Sequence, residues 1–298
     1  MKMNNITKKF LNRSLIVLPL IFIGACGKPK IVQSIDQSPA SVVELTIVSD
    51  GSRMPGIAYL AAGSGPHPTV LLLHGYPGNE KNLDVAQELR RQGWNVVFFH
   101  YRGAWGAEGE FSFRGAERDV QVVLGYMSDQ ANAQRLRIDP KRISIVGHSM
   151  GGHMAIAGIY DNPQVNCAVA YDPVNLGAKG SGIFSDPAAA KMWRDYSDTL
   201  FMLKGWSGDK AEREIILHGA DLDLVRRANK LNNRPLMIIP ADTQVVPMAL
   251  HIDPLIAVHQ AIEGNQFAYK LIDDDHSFSA TRLELIDTTA KFLNSSCK

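Results

Sequence analysis

The 298-residue chain is expected to form one α/β domain built on a mostly parallel sheet with helices on both faces. Three observations predict this. Short apolar runs alternate with helical segments along most of the chain, as in strand–helix–strand units. At 45% hydrophobic and 20% charged, the composition suits one large core and lacks the bias of disordered or fibrous sequences. A β-branched run, a glycine turn and an alanine-rich helical segment follow one another without a break in RISIVGHSMGGHMAIAG.

The elements can be assigned in order. SVVELTIVSDG and PGIAYLAAG read as two leading strands, and PHPTVLLLHG as a buried strand ending in a glycine turn. Asn82 to Arg91 reads as a helix, Trp94 to Tyr101 as a strand and Gly115 to Met127 as a second helix. Ile143 to Gly147 is the next strand, followed by a helix from Met150 to Tyr160 and a strand from Val165 to Tyr171. Pro235 to Ile239, a helix near Pro254 to Ile262, the strand FAYKLI and a last helix from about Thr281 to Leu293 complete the alternation. Between Asp172 and Pro235 it lapses. Met192, Trp193, Tyr196, Leu200, Phe201 and Leu203 fall at helical spacing, which predicts a helical insertion over about residues 176–232, after the sixth strand. Such an insertion commonly forms a lid over the substrate entrance; the same stripe could simply pack on the domain, so none of its residues is assigned to binding.

The N-terminus has a separate purpose. Lys2, Lys8, Lys9 and Arg13 precede an apolar run from Leu15 to Ile23, the form of a secretory signal peptide. The run is short of the roughly 20 apolar residues a spanning helix needs. Its end, Ile23-Gly24-Ala25-Cys26, resembles the bacterial lipobox. That resemblance implies a signal peptide over residues 1–25, lipid attachment at Cys26 and a protein held to a membrane of the bacterial cell envelope. Residues 26–41 are polar with two prolines and read as a flexible tether to a domain over 42–298. Cys167 and Cys297 remain: in an exported chain they could pair, but a buried Cys167 acting as a small hydrophobe is the blander expectation. A formal net charge of +1 gives no electrostatic footprint for nucleic acid.

The turn Gly147-His148-Ser149-Met150-Gly151 carries the chemistry. A G-x-S-x-G motif between strand and helix exposes its serine on a sharp turn, where side chains at the flanking glycines would collide with the strand and helix. Ser149 is the expected nucleophile, and the Met150 amide at the helix N-terminus an expected donor to developing negative charge. A serine alcohol needs a base. His276, in the loop LIDDDHSFSATRLEL after the last strand, is the expected base, while Asp273 to Asp275 read as a solvated acidic turn. Asp242, after the next-to-last strand, is the expected acid that orients the imidazole; Asp172, after the sixth strand, is its rival. The turn LLLHGYPGN offers the Tyr76 amide as a second oxyanion donor, with Gly75 and Gly78 allowing close backbone approach.

HGYPGNEKN, FFHYRGAWGAEGEFSF, VGHSMGGHMA, DTQVVP and DDDHSFS, in this order, resemble the α/β-hydrolase superfamily from about Ser41 to Leu293. The loop HYRGAWGAEGEFSF is similar to that of the dienelactone-hydrolase, acylaminoacyl-peptidase and serine-aminopeptidase branches. The resemblance implies an eight-stranded, mostly parallel sheet, no metal and no organic cofactor. It also implies a serine hydrolase acting on a small carboxylic ester, with short peptides as the alternative substrate. In such chains the acid commonly stands four residues before the proline of VVP; here that place is Thr243. A reading of a different class is a lipid-anchored binding protein that retains the fold without turnover.

Overall fold

The computed structural model describes residues 38–297, apart from the side chains of 181–184. Its longest described strand, β5 (Ile138–His148), is buried throughout from Ile143 onward, because it runs through the sheet interior with helices on each side. Around it lie β1 (Ser41–Ser49), β2 (Ser52–Leu60), β3 (His67–Leu73), β4 (Asn95–Phe99), β6 (Val165–Tyr171), β7 (Leu236–Ile239) and β8 (Phe267–Tyr269). The eight-stranded order is β1-β2-β4-β3-β5-β6-β7-β8. β2 pairs antiparallel with β1 and β4, and all other pairs are parallel.

The period of two along the strands sends side chains to two cores. Leu71, Val97 and Ile145 join Val120 of α2 (Phe113–Ser128) and Met154 of α4 (Met150–Asp161) on one face. Val70, Val96, Val146 and Val169 meet Val85 and Leu89 of α1 (Leu83–Arg91) on the other, together with Leu285 and Leu293 from the last helix, Arg282–Ser296. A strand covered on both faces needs apolar residues at successive positions, which is why Val70–Leu73 reads as an unbroken apolar run. The helix α3 (Gln130–Leu136) was not anticipated; it is started by the Asp129 carboxylate accepting the Asn132 amide at 3.0 Å. β8 is shorter than FAYKLI suggested, although Lys270 and Ile272 amides still donate to the Ile238 and Pro240 carbonyls beyond it.

After β6 the chain forms the helical insertion: α5 (Leu176–Ser185), α6 (Pro187–Asp198), α7 (Gly208–His218) and a 3₁₀ turn at Ala228–Leu231. Each of the two longer starts has a physical cause. Asp186 accepts the Ala188 amide with Pro187 in the first turn of α6, and Ser207 accepts the Lys210 amide at α7. The apolar stripe of the insertion divides. Leu200, Leu203 and Ile215 enter the domain core, whereas Met192 and Phe201 are exposed. Two short helices, α8 (Met248–His251) and α9 (Asp253–Ala261), precede β8, and the final helix is α10. Among the described residues no helix is long and apolar enough to cross a membrane. Residues 1–25, Cys26 and most of the tether lie outside the described residues.

Cys167 and Cys297 form a disulfide, contrary to the blander expectation of a free buried thiol. β6 begins and α10 ends at the same side of the second core, which brings the two Cα atoms to 5.5 Å. The bridge fastens the end of the last helix to a central strand across 130 residues. Replacing both cysteines with serine is expected to lower unfolding free energy by about 2–5 kcal/mol, read by urea titration, since a cross-link of this span restricts the unfolded chain.

Candidate active site

The site is organised by a strained turn. At the exit of β5, Ser149 adopts φ 58°, ψ −118°, a backbone conformation that side chains rarely occupy. The turn fits only because its flanks are glycines. A Cβ at Gly147 would lie 2.0 Å from the Gly151 carbonyl oxygen, and one at Gly151 would lie 2.3 Å from that of Leu73. The Ser149 amide donates to the Tyr171 carbonyl at 2.9 Å, and the Ser149 carbonyl accepts from His153 and Val174. Ser149 is only 6% exposed, and it lines a cavity of about 590 Å³ together with Tyr76, Met150, Trp193 and His276.

His276 reaches this cavity from the loop after β8, and that loop is tied from within. Asp274 accepts the Ala280 and Thr281 amides and the Thr281 hydroxyl, at 2.7–2.9 Å. Asp275 accepts the Ser277 and Ser279 amides at 2.8 and 3.0 Å. Both carboxylates therefore brace the loop backbone, a role beyond the solvated turn expected from sequence, and these hydrogen bonds hold both below the ordinary aspartate value. A second brace comes from the motif itself. Burial, then the neighbouring His276, pull the His148 pKa down to about 3, so the ring is neutral, and its Nε2–H donates to the His276 carbonyl at 2.6 Å.

The carboxylate that meets His276 is Asp172. His276 Nδ1 donates to Asp172 Oδ2 at 2.6 Å, and Asp172 is fully buried at the end of β6. This corrects the expectation of Asp242, which is exposed on the loop after β7. The β7 loop contributes donors in place of an acid. The Ala241 amide reaches Asp172 Oδ1 at 3.2 Å, and the Thr243 hydroxyl reaches Oδ2 at 3.3 Å. Thr243, standing where the acid was sought, thus hydrogen-bonds the carboxylate that took its place.

Tyr76 and Met150, whose amides were the expected oxyanion donors, both border the cavity, at the β3–α1 turn and the first position of α4. Gly75 packs so closely that a Cβ there would sit 3.0 Å from Ser149 Cβ. The Tyr76 side chain has a further role that the motif did not reveal. Its hydroxyl donates to Ser197 Oγ at 2.9 Å and accepts from Trp206 Nε1 at 2.6 Å, so it joins the turn to the insertion. The loop after β4 does the same from its side. Trp105 Nε1 donates to the Pro77 carbonyl at 2.7 Å, while the Trp105 amide donates to the Met202 carbonyl and the Lys204 amide to that of Gly103. Among the described residues no group of three or more His, Cys, Asp or Glu side chains is arranged to hold a metal ion.

Residues 70–280 match the model of the alpha/beta hydrolase family. An uncharacterized protein of Mycobacterium tuberculosis is 28% identical over 145 residues, 48% of this chain and 49% of its own length. A lysophosphatidylserine lipase of Danio rerio is 34% identical over 92 residues, 30% of this chain and 22% of its own. The chain thus spans about half the length of the first of these curated relatives and less of the second. Among solved structures, an esterase of Pyrococcus furiosus superposes with a TM-score of 0.64 at 14% identity, covering 87% of this chain and 94% of that one. At that identity the likeness is one of fold.

The glycine requirement is testable by stability alone. Gly147→Ala forces a Cβ into backbone atoms and is expected to cost about 3 kcal/mol or more. Gly125→Ala, at an exposed position near the end of α2 with nothing within 4 Å of the added carbon, is expected to stabilise by about 0.5–1 kcal/mol. Denaturant titration of both variants reads the contrast; similar values for the two would contradict the close-packed turn.

Proposed function

Since the chain belongs to the alpha/beta hydrolase family, we propose that it is a serine hydrolase that cleaves carboxylic esters through Ser149, His276 and Asp172. The observation that carries this reading is the pairing of a strained, cavity-lining serine with a histidine whose Nδ1 is held by a buried carboxylate. That hydrogen bond fixes the tautomer in which Nε2 is free to accept a proton.

In the first step Ser149 Oγ attacks the ester carbonyl and its proton passes to His276 Nε2. Asp172 stabilises the imidazolium that forms. The carbonyl oxygen becomes an oxyanion, for which the Tyr76 and Met150 amides are the donors; the helix N-terminus behind Met150 adds its partial positive charge. One such donor is worth about 3 kcal/mol of barrier in acyl transfer. Collapse expels the alcohol, which takes the proton from His276 and leaves an acyl group on Ser149. Water then gives a proton to His276 and attacks the acyl carbonyl, and Ser149 departs with that proton as the acid is released. Esters are preferred to peptides here because a curated relative is a lipase by name.

The reading extends to location. The Cys167–Cys297 bridge suits an oxidising compartment, which favours export by the leader at residues 1–25; lipid attachment at Cys26 in a bacterial cell envelope rests on the sequence Ile23-Gly24-Ala25-Cys26 alone.

A fluorophosphonate probe tests the mechanism on the purified protein. Wild type is expected to be labelled and to hydrolyse p-nitrophenyl butyrate, and Ser149→Ala to do neither. Asp172→Asn is expected to lower kcat by about 10³–10⁴, the effect of holding the base in the wrong tautomer, whereas Asp242→Asn stays within about twofold as an exposed site does. A folded wild type that takes no label would overturn the proposal, and a large loss in Asp242→Asn would overturn the assignment of the acid.

A further inference from the structure

The cavity at Ser149 also holds a lysine whose charge the proposed reaction does not use. Lys179, on α5, lines the same cavity as Ser149 and His276. Its ammonium lies 4.3 Å from the centre of the Trp193 ring, a cation–π contact that holds the side chain and leaves its N–H donors available. Among the described residues it has no ion-pair partner within 4.0 Å. Burial alone lowers its pKa from the ordinary lysine value. A half-buried cation with no counter-ion among the described residues is only partly solvated, and an anion entering the cavity would offset that cost.

A second unspent polar group stands in the same wall. His251 is 2% exposed, and its Nδ1 has no hydrogen-bond partner although the residue borders the cavity. Burial, with the nearby Lys179, pulls its pKa down to about 4, so the ring is neutral. The remaining charged group of the wall, Asp186, is engaged at the start of α6, where it accepts the Ala188 amide at 2.9 Å. The rest of the surface is largely aromatic and aliphatic, with Tyr76, Phe113, Trp193 and Leu250 among the lining residues.

We propose that Lys179 is a specificity residue that binds a carboxylate on the substrate, so that the preferred ester carries a free carboxylate away from the bond that is cut. This deepens the ester-hydrolase reading and rests on it. The alkyl part of the ester lies against the aromatic wall, and the carboxylate accepts from Lys179 Nζ.

Two pairs of matched esters test it. In the first pair the charge is on the acyl side: p-nitrophenyl hydrogen glutarate against p-nitrophenyl valerate. In the second it is on the leaving group: 4-(butyryloxy)benzoate against 4-(butyryloxy)benzamide. The quantity measured is the ratio of kcat/KM for the acid to that for its neutral partner, which uses the neutral ester as an internal reference in each protein. In at least one pair this ratio is expected to be about tenfold or more higher in wild type than in Lys179→Met, the factor carried by a charge-assisted hydrogen bond. Lys179→Arg keeps the cation and is expected to retain most of the ratio. Wild-type turnover of the neutral esters with no preference for the acids in either pair overturns this inference and leaves the hydrolase reading standing, even where a variant fails to fold. A preference that survives unchanged in Lys179→Met also overturns it. Turnover of none of the four esters, with no fluorophosphonate labelling, overturns both.

Discussion

One constraint orders the rest of the site: the backbone at Ser149 is held where side chains are rarely found. Such a turn survives only if the surroundings over-determine it, and here they do so from two directions. Gly147 and Gly151 remove the atoms that would collide. The Tyr171 carbonyl of β6 takes the Ser149 amide. Asp172, the next residue along β6, takes the His276 ring. The end of a single strand therefore fixes the proposed nucleophile through its last carbonyl and the proposed base through its next side chain. β6 neighbours β5 in the sheet, so Ser149 and Asp172 arise from adjacent strand ends. The donors from Ala241 and Thr243 on the following loop keep the buried carboxylate satisfied, as a charge out of water requires.

The second level of organisation is the attachment of the insertion. Leu200, Leu203 and Ile215 bury apolar area in the domain core, but position relative to the site is set by polar links. Tyr76 is central to them: its backbone borders the cavity, and its hydroxyl bonds Ser197 and Trp206. One side chain thereby ties the insertion to the β3–α1 turn. The same attachment brings Trp193 and Lys179 into the cavity wall.

Much of this was legible in the sequence, for identifiable reasons. Strand β6 and the helix after Ser149 stand where the apolar runs placed them, because strands covered on both faces leave a strong local signal. Ser149 and His276 were visible for the same reason: each sits in a turn with its own local pattern. The carboxylate that meets His276 was not, because Asp172 and Asp242 both follow strands, and which of two strand ends lies nearer the histidine loop is a matter of three-dimensional register. The role of Thr243 was invisible for the same cause. His148 as a brace, the Tyr76 hydroxyl and the isolation of Lys179 depend on contacts between residues far apart in the chain, for which spacing carries no signal. The disulfide was open on sequence alone, since two cysteines 130 residues apart can bridge only if the fold brings them together.

The central claim is that Ser149 becomes covalently acylated with His276 as the base. Rapid acid quench of wild type mixed with p-nitrophenyl butyrate, followed by peptide mass spectrometry, tests it without an inhibitor. The account predicts a transient butyryl adduct on the peptide containing Ser149, absent from His276→Ala on the same timescale. Steady turnover of the ester with no adduct on that peptide at any quench time, or an adduct on another residue that forms at the same rate without His276, would contradict it.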